Sequence, residues 1–221
     1  MPEILCFDEH SLDVLFARCA ESLARGGLAI LPTETVYGLA ARVDRREAVR
    51  RIFEVKGREA AKALPVMVED AARAAELTAP EWREPLLRLS VFWPGPLTLV
   101  VKAAPLEWLE WVAPGSRKVG FRVPDHPFLL RLLRETGPLA VTSANLAGKE
   151  PPADSRDLDP LLVERVDLVL DQGRSGTGRP STVAELTEGG LEIIRSGALS
   201  REELERALRS GGRRRRELRD A

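Results

Sequence analysis

Helical periodicity of the apolar residues is the clearest pattern along the chain. Between Ser11 and Arg25, apolar side chains return every three or four positions, and the Ser11 hydroxyl can cap the first turn. Asp44 and Ser200 stand in the same position before two further amphipathic segments. The spacing predicts helices over residues 11–25, 44–55, 70–77, 82–92, 126–136, 157–165 and 200–210.

Short apolar runs rich in β-branched residues separate these helices and predict strands. They lie at residues 28–31, 64–68, 97–102, 118–122, 138–142, 167–170, 182–186 and 191–195. Helices and strands alternate irregularly, and several strands follow one another near the end, which favours an α/β domain with a mixed sheet. No linker rich in Pro, Gly or Ser divides the chain. We therefore expect one domain over residues 1–210 and a basic C-terminal tail over residues 211–221.

Composition and charge exclude several classes of protein. Lys and Arg number 33 against 34 Asp and Glu, so the formal net charge is -1 and no overall polycation is available to hold nucleic acid. Cys6 and Cys19 are too few for a disulfide framework or a four-cysteine zinc site. No apolar run reaches the roughly 18 residues of a membrane span, and residues 1–10 do not resemble a signal peptide. We expect a reduced, cytoplasmic protein without a membrane partner.

Four short segments carry more polar and charged side chains than packing requires. The first, residues 32–38, directly follows a predicted buried strand. It places two threonine hydroxyls, a carboxylate and the chain's only tyrosine where that strand passes into a loop, a common position for ligand sites in α/β proteins. A capped turn without function explains this segment equally well when it is taken alone.

The second segment is a group of cations at the end of a predicted helix. Lys56, Arg58 and Lys62 lie there within seven residues. The helix dipole alone favours cations at this end, by roughly 0.3–1 kcal/mol each. Three of them together also suit the binding of a polyphosphate.

The third and fourth segments each lie at the end of a predicted strand. Residues 142–145 read Thr-Ser-Ala-Asn, and their side chains can either cap the next turn or offer neutral donors to a phosphate or ribose. Residues 180–183 read Pro-Ser-Thr-Val and lead through a strand and a turn to Arg195. An arginine at a strand end is common on protein surfaces, so this segment indicates little by itself.

Several well-known catalytic motifs are absent from the sequence. It contains no GxxxxGK[ST] phosphate loop, no GxGxxG dinucleotide motif and no GxSxG nucleophile elbow. His10 and His126 lie in unrelated contexts, and neither has the partner of a helix-borne zinc site. An enzyme with this sequence is expected to work by positioning its substrates and neutralising charge.

Seven segments, in this order, resemble the YrdC/TsaC family over residues 12–208. They read PTETVYGLAA, KGR, FWPGPLTLVV, VGFRVPDHP, TSAN, PSTV and IIRSG. The resemblance implies an α/β fold in which a large twisted mixed sheet with flanking helices forms a deep, positively lined cavity. It implies the activity of a threonylcarbamoyl-AMP synthase, the enzyme that supplies the activated intermediate for the t6A modification of tRNA.

The resemblance also implies roles for individual residues. The family's KxR and SxN signatures fall on Lys56, Arg58, Ser143 and Asn145, and Lys56 and Arg58 would be the catalytic residues. The residues implied to contact ATP are Arg58, Lys62, Lys118, Ser143, Asn145 and Arg195. The residues implied to hold L-threonine are Thr35, Arg122 and Ser181, with the Arg122 guanidinium as the natural partner of the amino-acid carboxylate. No residue is assigned to a metal.

The implied reaction begins when threonine's amine combines with bicarbonate or CO2 to give a carbamate. The carbamate attacks the α-phosphorus of ATP, which is a substrate, and pyrophosphate leaves. Fixed Arg and Lys side chains together with Mg2+ would stabilise the charge that spreads over the phosphoryl oxygens. A closed cavity would protect the labile product from water. Further implied partners are tRNA and the downstream threonylcarbamoyl-transfer enzymes.

The sequence departs from the family's pattern in places, and other functions compete with the implied one. Met67 stands where many relatives have a histidine near the threonine, and Glu59 stands where many have proline. The alternatives are a non-catalytic module that binds double-stranded RNA or tRNA, a YciO-like paralogue, and the carbamoyl-adenylate domain of hydrogenase maturation. The complete KxR and SxN signatures weigh against the first two. Two cysteines cannot build the zinc modules of the third.

Overall fold

The structure is a computed structural model that describes residues 1–7, 11–57 and 63–210. Residues 8–10, 58–62 and 211–221 lie outside the described residues. The expectations for Arg58, Glu59 and Lys62 therefore lie outside them, as does the basic tail.

The described residues form helices and strands in irregular alternation. The α-helices are α1 (Leu12–Ala24), α2 (Arg46–Lys56), α3 (Ala71–Glu76), α4 (Pro80–Leu89), α5 (Leu109–Val112), α6 (Pro127–Thr136), α7 (Pro160–Val163) and α8 (Arg201–Arg209). The strands are β1 (Glu3–Cys6), β2 (Ala29–Leu31), β3 (Gly38–Arg42), β4 (Val66–Met67), β5 (Leu97–Lys102), β6 (Lys118–Arg122), β7 (Leu139–Ser143), β8 (Leu168–Asp171), β9 (Thr182–Thr187) and β10 (Gly190–Arg195). Short 3-10 turns cover Ser90–Phe92 and Ser155–Asp157.

All ten strands join one mixed sheet, in the order β1-β8-β2-β3-β7-β4-β6-β5-β9-β10. The pairs β1/β8, β2/β8, β4/β6 and β5/β9 are parallel. The pairs β2/β3, β3/β7, β4/β7, β5/β6 and β9/β10 are antiparallel. The prediction of an α/β fold with a large mixed sheet is confirmed.

One face of the sheet is covered by helices along most of its width. Because side chains alternate between faces, Leu99 of β5, Phe121 of β6 and Ala140 of β7 point to the same side. They join a continuous apolar cluster with Ile52 of α2 and Leu86 of α4. Helices α2, α3, α4, α5, α7 and α8 all contribute buried residues to this face.

The other face of the sheet is covered over one part only. Helices α1 and α6 pack there, and Leu15 and Leu132 are among the buried residues that they contribute. The strand residues of this second apolar cluster come from β1, β2, β3, β4, β7 and β8. No described residue of β5, β6, β9 or β10 belongs to it, so the second helical layer stops near the middle of the sheet.

Helix and strand ends differ from the predictions in several places. Ser200 caps α8 in a full capping box with Glu203, and Ser11 caps α1, as predicted. The predicted Asp44 cap is wrong: the N-cap position of α2 is Arg45, and the Asp44 carboxylate instead pairs with Arg42. The predicted helix over 157–165 is only the short α7.

Two strands were absent from the predictions. β1 has exposed and intermediate positions at three of its four residues, which hides it from an apolar-run criterion. β3 reads Gly-Leu-Ala-Ala-Arg and lies between β2 and β7 in the sheet. Its small residues fit between two neighbouring strands, but glycine and alanine have weak strand propensity, so the sequence does not indicate a strand there. Among the described residues, no helix combines the length and the apolar character needed to cross a lipid bilayer.

The partial second layer makes a prediction about stability. Leu132 of α6 is fully buried against the sheet, whereas Leu87 of α4 is 45% exposed. We expect Leu132→Ala to lower the free energy of unfolding by about 2–5 kcal/mol, because it removes buried methyl groups and leaves a cavity. Leu87→Ala is the matched control, and we expect a change within about 0.5 kcal/mol. Urea unfolding measures both, and equal losses would contradict the assignment of Leu132 to the core.

Candidate functional site

A cavity of about 490 Å³ lies over the part of the sheet that α1 and α6 leave uncovered. Its floor is formed by β5, β6 and β9, and its walls by β10 and the loops that follow β2 and β7. The predicted site residues that line it are Thr35, Lys118, Ser143, Arg122, Ser181 and Arg195. Residues from four distant parts of the chain, 32–38, 118–122, 142–145 and 180–195, therefore line one cavity. The sequence pattern alone does not show that these parts meet; only the resemblance to a known family implies it.

Arg122 is held at the floor of this cavity by the 32–38 segment. The side chain is buried, and its Nη2 donates to Glu34 Oε1 at 2.7 Å and to Thr35 Oγ1 at 2.9 Å. Thr35 Oγ1 lies 2.9 Å from Thr33 Oγ1, and Thr33 Oγ1 also bonds the backbone of residues 35 and 36. The two hydroxyls and the guanidinium thus form one connected group with fixed orientations.

A glycine-rich loop after β8 fixes the backbone of the same segment. Ser175 Oγ donates to the carbonyl of Thr33 at 2.6 Å and accepts from its amide at 3.0 Å. The amides of Thr177 and Gly178 donate to the carbonyls of Glu34 and Thr35. The sequence predictions included the 32–38 segment but not this loop, although the run of glycines in residues 173–178 is a signal for tight backbone contact.

Ser181 and Arg195 meet on the side of the cavity formed by β9 and β10. Ser181 Oγ is buried, lies 2.9 Å from Thr98 Oγ1 and accepts from Arg195 Nη2 at 3.1 Å. The same Nη2 donates to the Ser181 carbonyl at 2.8 Å. The Arg195 residue is exposed to solvent, so its guanidinium reaches the rim of the cavity while it holds Ser181 in place.

Lys118 and Glu185 form an ion pair on the cavity floor between β6 and β9. The Glu185 hydrogen bond, and then its charge, raise the pKa of the Lys118 ammonium above its ordinary value. The Lys118 side chain is 54% exposed, so solvent screens this pair strongly. Lys118 therefore stays charged at neutral pH, and its exposed ammonium can meet other anions from solvent.

Lys56 lies behind the cavity wall. Its residue is 4% exposed, and its ammonium donates to the carbonyl of Ser143, to the carbonyl of Asn145 at 2.8 Å and to Asn145 Oδ1 at 3.3 Å. The Asn145 amide donates in turn to the carbonyls of Leu146 and Lys149. Lys56 and Asn145 are not among the described lining residues, and in this arrangement they shape the loop that presents Ser143.

Two further residues, Tyr37 and Met67, line the cavity. Tyr37 is fully buried, its hydroxyl donates to the Gly173 carbonyl at 2.8 Å, and burial raises its pKa to about 12. This tyrosine therefore ties the loop after β8 to the sheet and is not available as an acid or base near neutral pH. Met67 lines the cavity beside Arg122, its register partner on β6.

Metal-ligating side chains do not cluster in the part of the chain that the structure describes. No group of three or more His, Cys, Asp or Glu residues within it is arranged to hold a metal ion. Glu185, which lines the cavity, and Glu34, which bonds the lining residue Arg122, are each paired with a cation.

A family model for the Sua5/YciO/YrdC domain, described as "Telomere recombination", matches residues 21–197. The chain belongs to this family. The match includes every described residue that lines the cavity.

Individual members of the Sua5/YciO/YrdC family agree with this assignment. A threonylcarbamoyl-AMP synthase of Bacillus subtilis is 35% identical over 89% of this chain and 57% of its own length. One of Xanthomonas campestris is 36% identical over 79% of this chain and 93% of its own length. The chain thus spans little more than half of the Bacillus relative but nearly all of the Xanthomonas relative.

Solved structures of the Sua5/YciO/YrdC family superpose closely on the chain. P. abyssi Sua5 in complex with L-threonine has a TM-score of 0.79 and 32% identity, over 94% of this chain and 60% of that one. A doubly substituted form of the same protein has a TM-score of 0.84 and 33% identity, over 93% of this chain and 63% of that one. Both comparisons support the fold described above.

The contact between the loop after β8 and the 32–38 segment makes the second prediction. At Gly176, with φ +58°, an added Cβ would lie 2.1 Å from the Glu34 carbonyl carbon and oxygen. At Gly173, with φ +67°, it would meet nothing within 4 Å. Alanine at Gly173 should lower Tm by about 2–4 °C through backbone strain of the order of 1 kcal/mol.

Alanine at Gly176 carries the same backbone strain and a steric clash besides. We expect at least twice the Tm loss of Gly173→Ala, together with displacement of Glu34 and Thr35. Differential scanning calorimetry of both variants measures the contrast. Equal Tm losses would mean that the loop does not press on the 32–38 segment.

Proposed function

We propose that the protein is an L-threonylcarbamoyladenylate synthase, which converts L-threonine, bicarbonate or CO2, and ATP into threonylcarbamoyl-AMP and pyrophosphate. The observation that carries the proposal is the convergence of Thr35, Arg122 and Ser181 with Lys118, Ser143 and Arg195 around one cavity. Relatives at 35–36% identity are named threonylcarbamoyl-AMP synthases, and a family structure holds L-threonine.

The threonine end of the cavity is proposed to be the Arg122 side. A planar guanidinium binds a carboxylate through two parallel hydrogen bonds, and Arg122 is buried, so a carboxylate that reaches it is shielded from competing water. The Thr35 and Ser181 hydroxyls, on either side, can bond the remaining polar groups of the amino acid. Met67 gives this end an apolar wall in place of a second polar contact.

The nucleotide end is proposed to lie toward Ser143, Lys118 and Arg195, with Arg58 and Lys62 added from the chain outside the described residues. In the present arrangement the Ser143 hydroxyl donates to Asn145 Oδ1, so contact with a phosphate oxygen requires that hydroxyl to rotate toward the cavity. Lys56 and Asn145 then act as positioning residues for Ser143. Lys118 and Arg195 reach solvent and can meet the phosphates as they enter.

The chemistry that this arrangement suits is adenylate transfer. The amine of threonine and bicarbonate give a carbamate and water, and the carbamate oxygen attacks the α-phosphorus while pyrophosphate leaves. Cations fixed before the reaction stabilise the negative charge of the leaving group without reorganisation. The cavity floor of Val100, Gly120 and Val183 offers no hydrogen-bonding side chain to hold water beside the labile product.

Magnesium and the further partners are part of the proposal. Mg2+ prefers a few carboxylates together with substrate phosphates, and the described residues offer no metal cluster of their own. We therefore expect Mg2+ to enter as part of the substrate, bound to the phosphates of ATP. The product is proposed to pass, in the cytoplasm, to the enzymes that transfer threonylcarbamoyl to tRNA.

The proposed activity is tested by pyrophosphate release from ATP. We expect release to require both L-threonine and bicarbonate, and the adenylate product to have the mass of threonylcarbamoyl-AMP. Reactions that lack either substrate, or that contain D-threonine, are the controls. Pyrophosphate release that is independent of threonine would show that the cavity performs another reaction.

Separate ends of the cavity predict separate kinetic defects. We expect Arg122→Ala to raise the KM for threonine at least tenfold, since a charge-assisted contact contributes about 1.5–3 kcal/mol, and to change the KM for ATP much less. Lys118→Met, at the other end, should raise the KM for ATP and leave the KM for threonine nearly unchanged. Equal losses for both substrates in Arg122→Ala would indicate a collapsed site, which Tm measurements would reveal independently.

A further inference from the structure

The ion pair between Glu34 and Arg122 leaves two buried polar atoms without a hydrogen bond. Glu34 Oε2 and Arg122 Nε have no partner among the residues that the structure describes. The side chains are 18% and 7% exposed, so bulk water reaches neither atom freely. One Nη2 atom of Arg122 instead serves both Glu34 Oε1 and Thr35 Oγ1.

This arrangement is poor for stability alone. A buried donor or acceptor without a partner costs about 1–3 kcal/mol, and more when the group is charged. Arginine and a carboxylate can pair through two parallel bonds, which would satisfy both atoms at once. Thr35 and the loop after β8 hold the two side chains in the one-bond arrangement, because the backbone of Glu34 is fixed by Thr177. One donor of Arg122, which lines the cavity, and one acceptor of Glu34, whose neighbours Thr33 and Thr35 line it, therefore remain without a partner among the described residues.

We propose that Glu34 is the residue that recognises the α-amino group of the substrate, with Glu34 Oε2 accepting from the ammonium while Arg122 Nε donates to the carboxylate. The inference rests on the proposed function, because it requires an α-amino acid as substrate. An amino-acid zwitterion carries a cation and an anion on neighbouring carbons and is neutral overall. Such a zwitterion can bond both Glu34 Oε2 and Arg122 Nε, and it adds no net charge to the buried ion pair of Glu34 and Arg122.

Glu34 also disfavours the binding of some ligands at this end of the cavity. A ligand with a carboxylate or phosphate but no cation would place its negative charge beside the Glu34 carboxylate, and this repulsion is strong where solvent is excluded. The same carboxylate therefore rejects simple organic acids and directs the ATP phosphates toward Lys118 and Arg195. After the amine becomes a carbamate, Glu34 can still accept its N–H and keep the nucleophile oriented.

The test compares two ligands that differ at the amine. L-Threonine and 3-hydroxybutyrate share a carbon skeleton, a hydroxyl and a carboxylate, but 3-hydroxybutyrate has no amino group. We expect titration calorimetry of the unaltered protein to give at least tenfold tighter binding of L-threonine, as a charge-assisted hydrogen bond implies. In Glu34→Gln, L-threonine should bind at least about tenfold more weakly and 3-hydroxybutyrate more tightly, since the repulsive charge is gone.

Weaker binding of L-threonine together with tighter binding of 3-hydroxybutyrate in Glu34→Gln would identify Glu34 as the group that recognises the amine. Equal weakening of both ligands in Glu34→Gln would mean that Glu34 only supports Arg122, and would overturn the inference. Glu185→Gln removes a carboxylate from the same cavity but from the Lys118 pair, and it should retain the preference for L-threonine. A loss of preference in Glu185→Gln as large as that in Glu34→Gln would show a general charge effect and also overturn it.

Failure of the inference can be distinguished from failure of the proposed function. If the unaltered protein releases pyrophosphate with L-threonine but binds 3-hydroxybutyrate equally well, the function stands and the role of Glu34 is wrong. If it neither binds L-threonine nor releases pyrophosphate, both are wrong. The ligand comparison in the unaltered protein needs no variant, so equal binding of the two ligands would overturn the inference even if Glu34→Gln does not fold.

Discussion

The partial coverage of one sheet face is the constraint from which the rest of this structure follows. A ten-stranded sheet has two faces to bury, and α1 and α6 reach across only part of the second one. Side chains that alternate toward the uncovered part cannot join an apolar core. Several of them are instead polar, charged or small, as Thr98, Lys118 and Gly120 are, and together with Val100 and Val183 they form the floor of a cavity. The site is thus a region of the sheet that lacks its helical layer.

Walls for such a cavity must come from loops, and loops hold a site accurately only when their backbones are fixed. The 32–38 segment is fixed by the loop after β8 through backbone and hydroxyl hydrogen bonds. The loop that carries Ser143 is fixed by the buried ammonium of Lys56. Buried polar groups that are fully bonded in this way restrict a loop to one conformation, which is how they contribute to function without touching a ligand.

Sequence pattern predicted most elements of the fold because most of them have one apolar face. It missed β1 and β3, whose small or exposed residues give no apolar run, and it placed the cap of α2 at Asp44, whose carboxylate pairs with Arg42 instead. For the site, the sequence pattern identified polar segments that contribute residues to the cavity, but it did not show that these segments lie together in the fold. That convergence depends on strand order, since β6 lies between β4 and β5 only in the folded sheet.

The resemblance named residues without distinguishing how they act, and burial makes that distinction. Lys118 and Arg122 are both paired with carboxylates at the cavity, yet the first side chain is 54% exposed and the second 7%. An exposed cation is screened by solvent and is open to other anions, which suits a side chain proposed to meet entering phosphates. A buried pair is costly to break, because each charge left alone loses its only compensation.

A ligand at Arg122 must therefore complete the ion pair and not replace it. Among the described residues, the buried atoms of this ion pair that lack a hydrogen bond are Oε2 of Glu34, an acceptor, and Nε of Arg122, a donor. A ligand that fills both needs a hydrogen-bond donor for the carboxylate and an acceptor for the guanidinium a short distance apart. A zwitterion meets this need without adding net charge to the buried pair, a preference that follows from the burial and bonding of these two side chains.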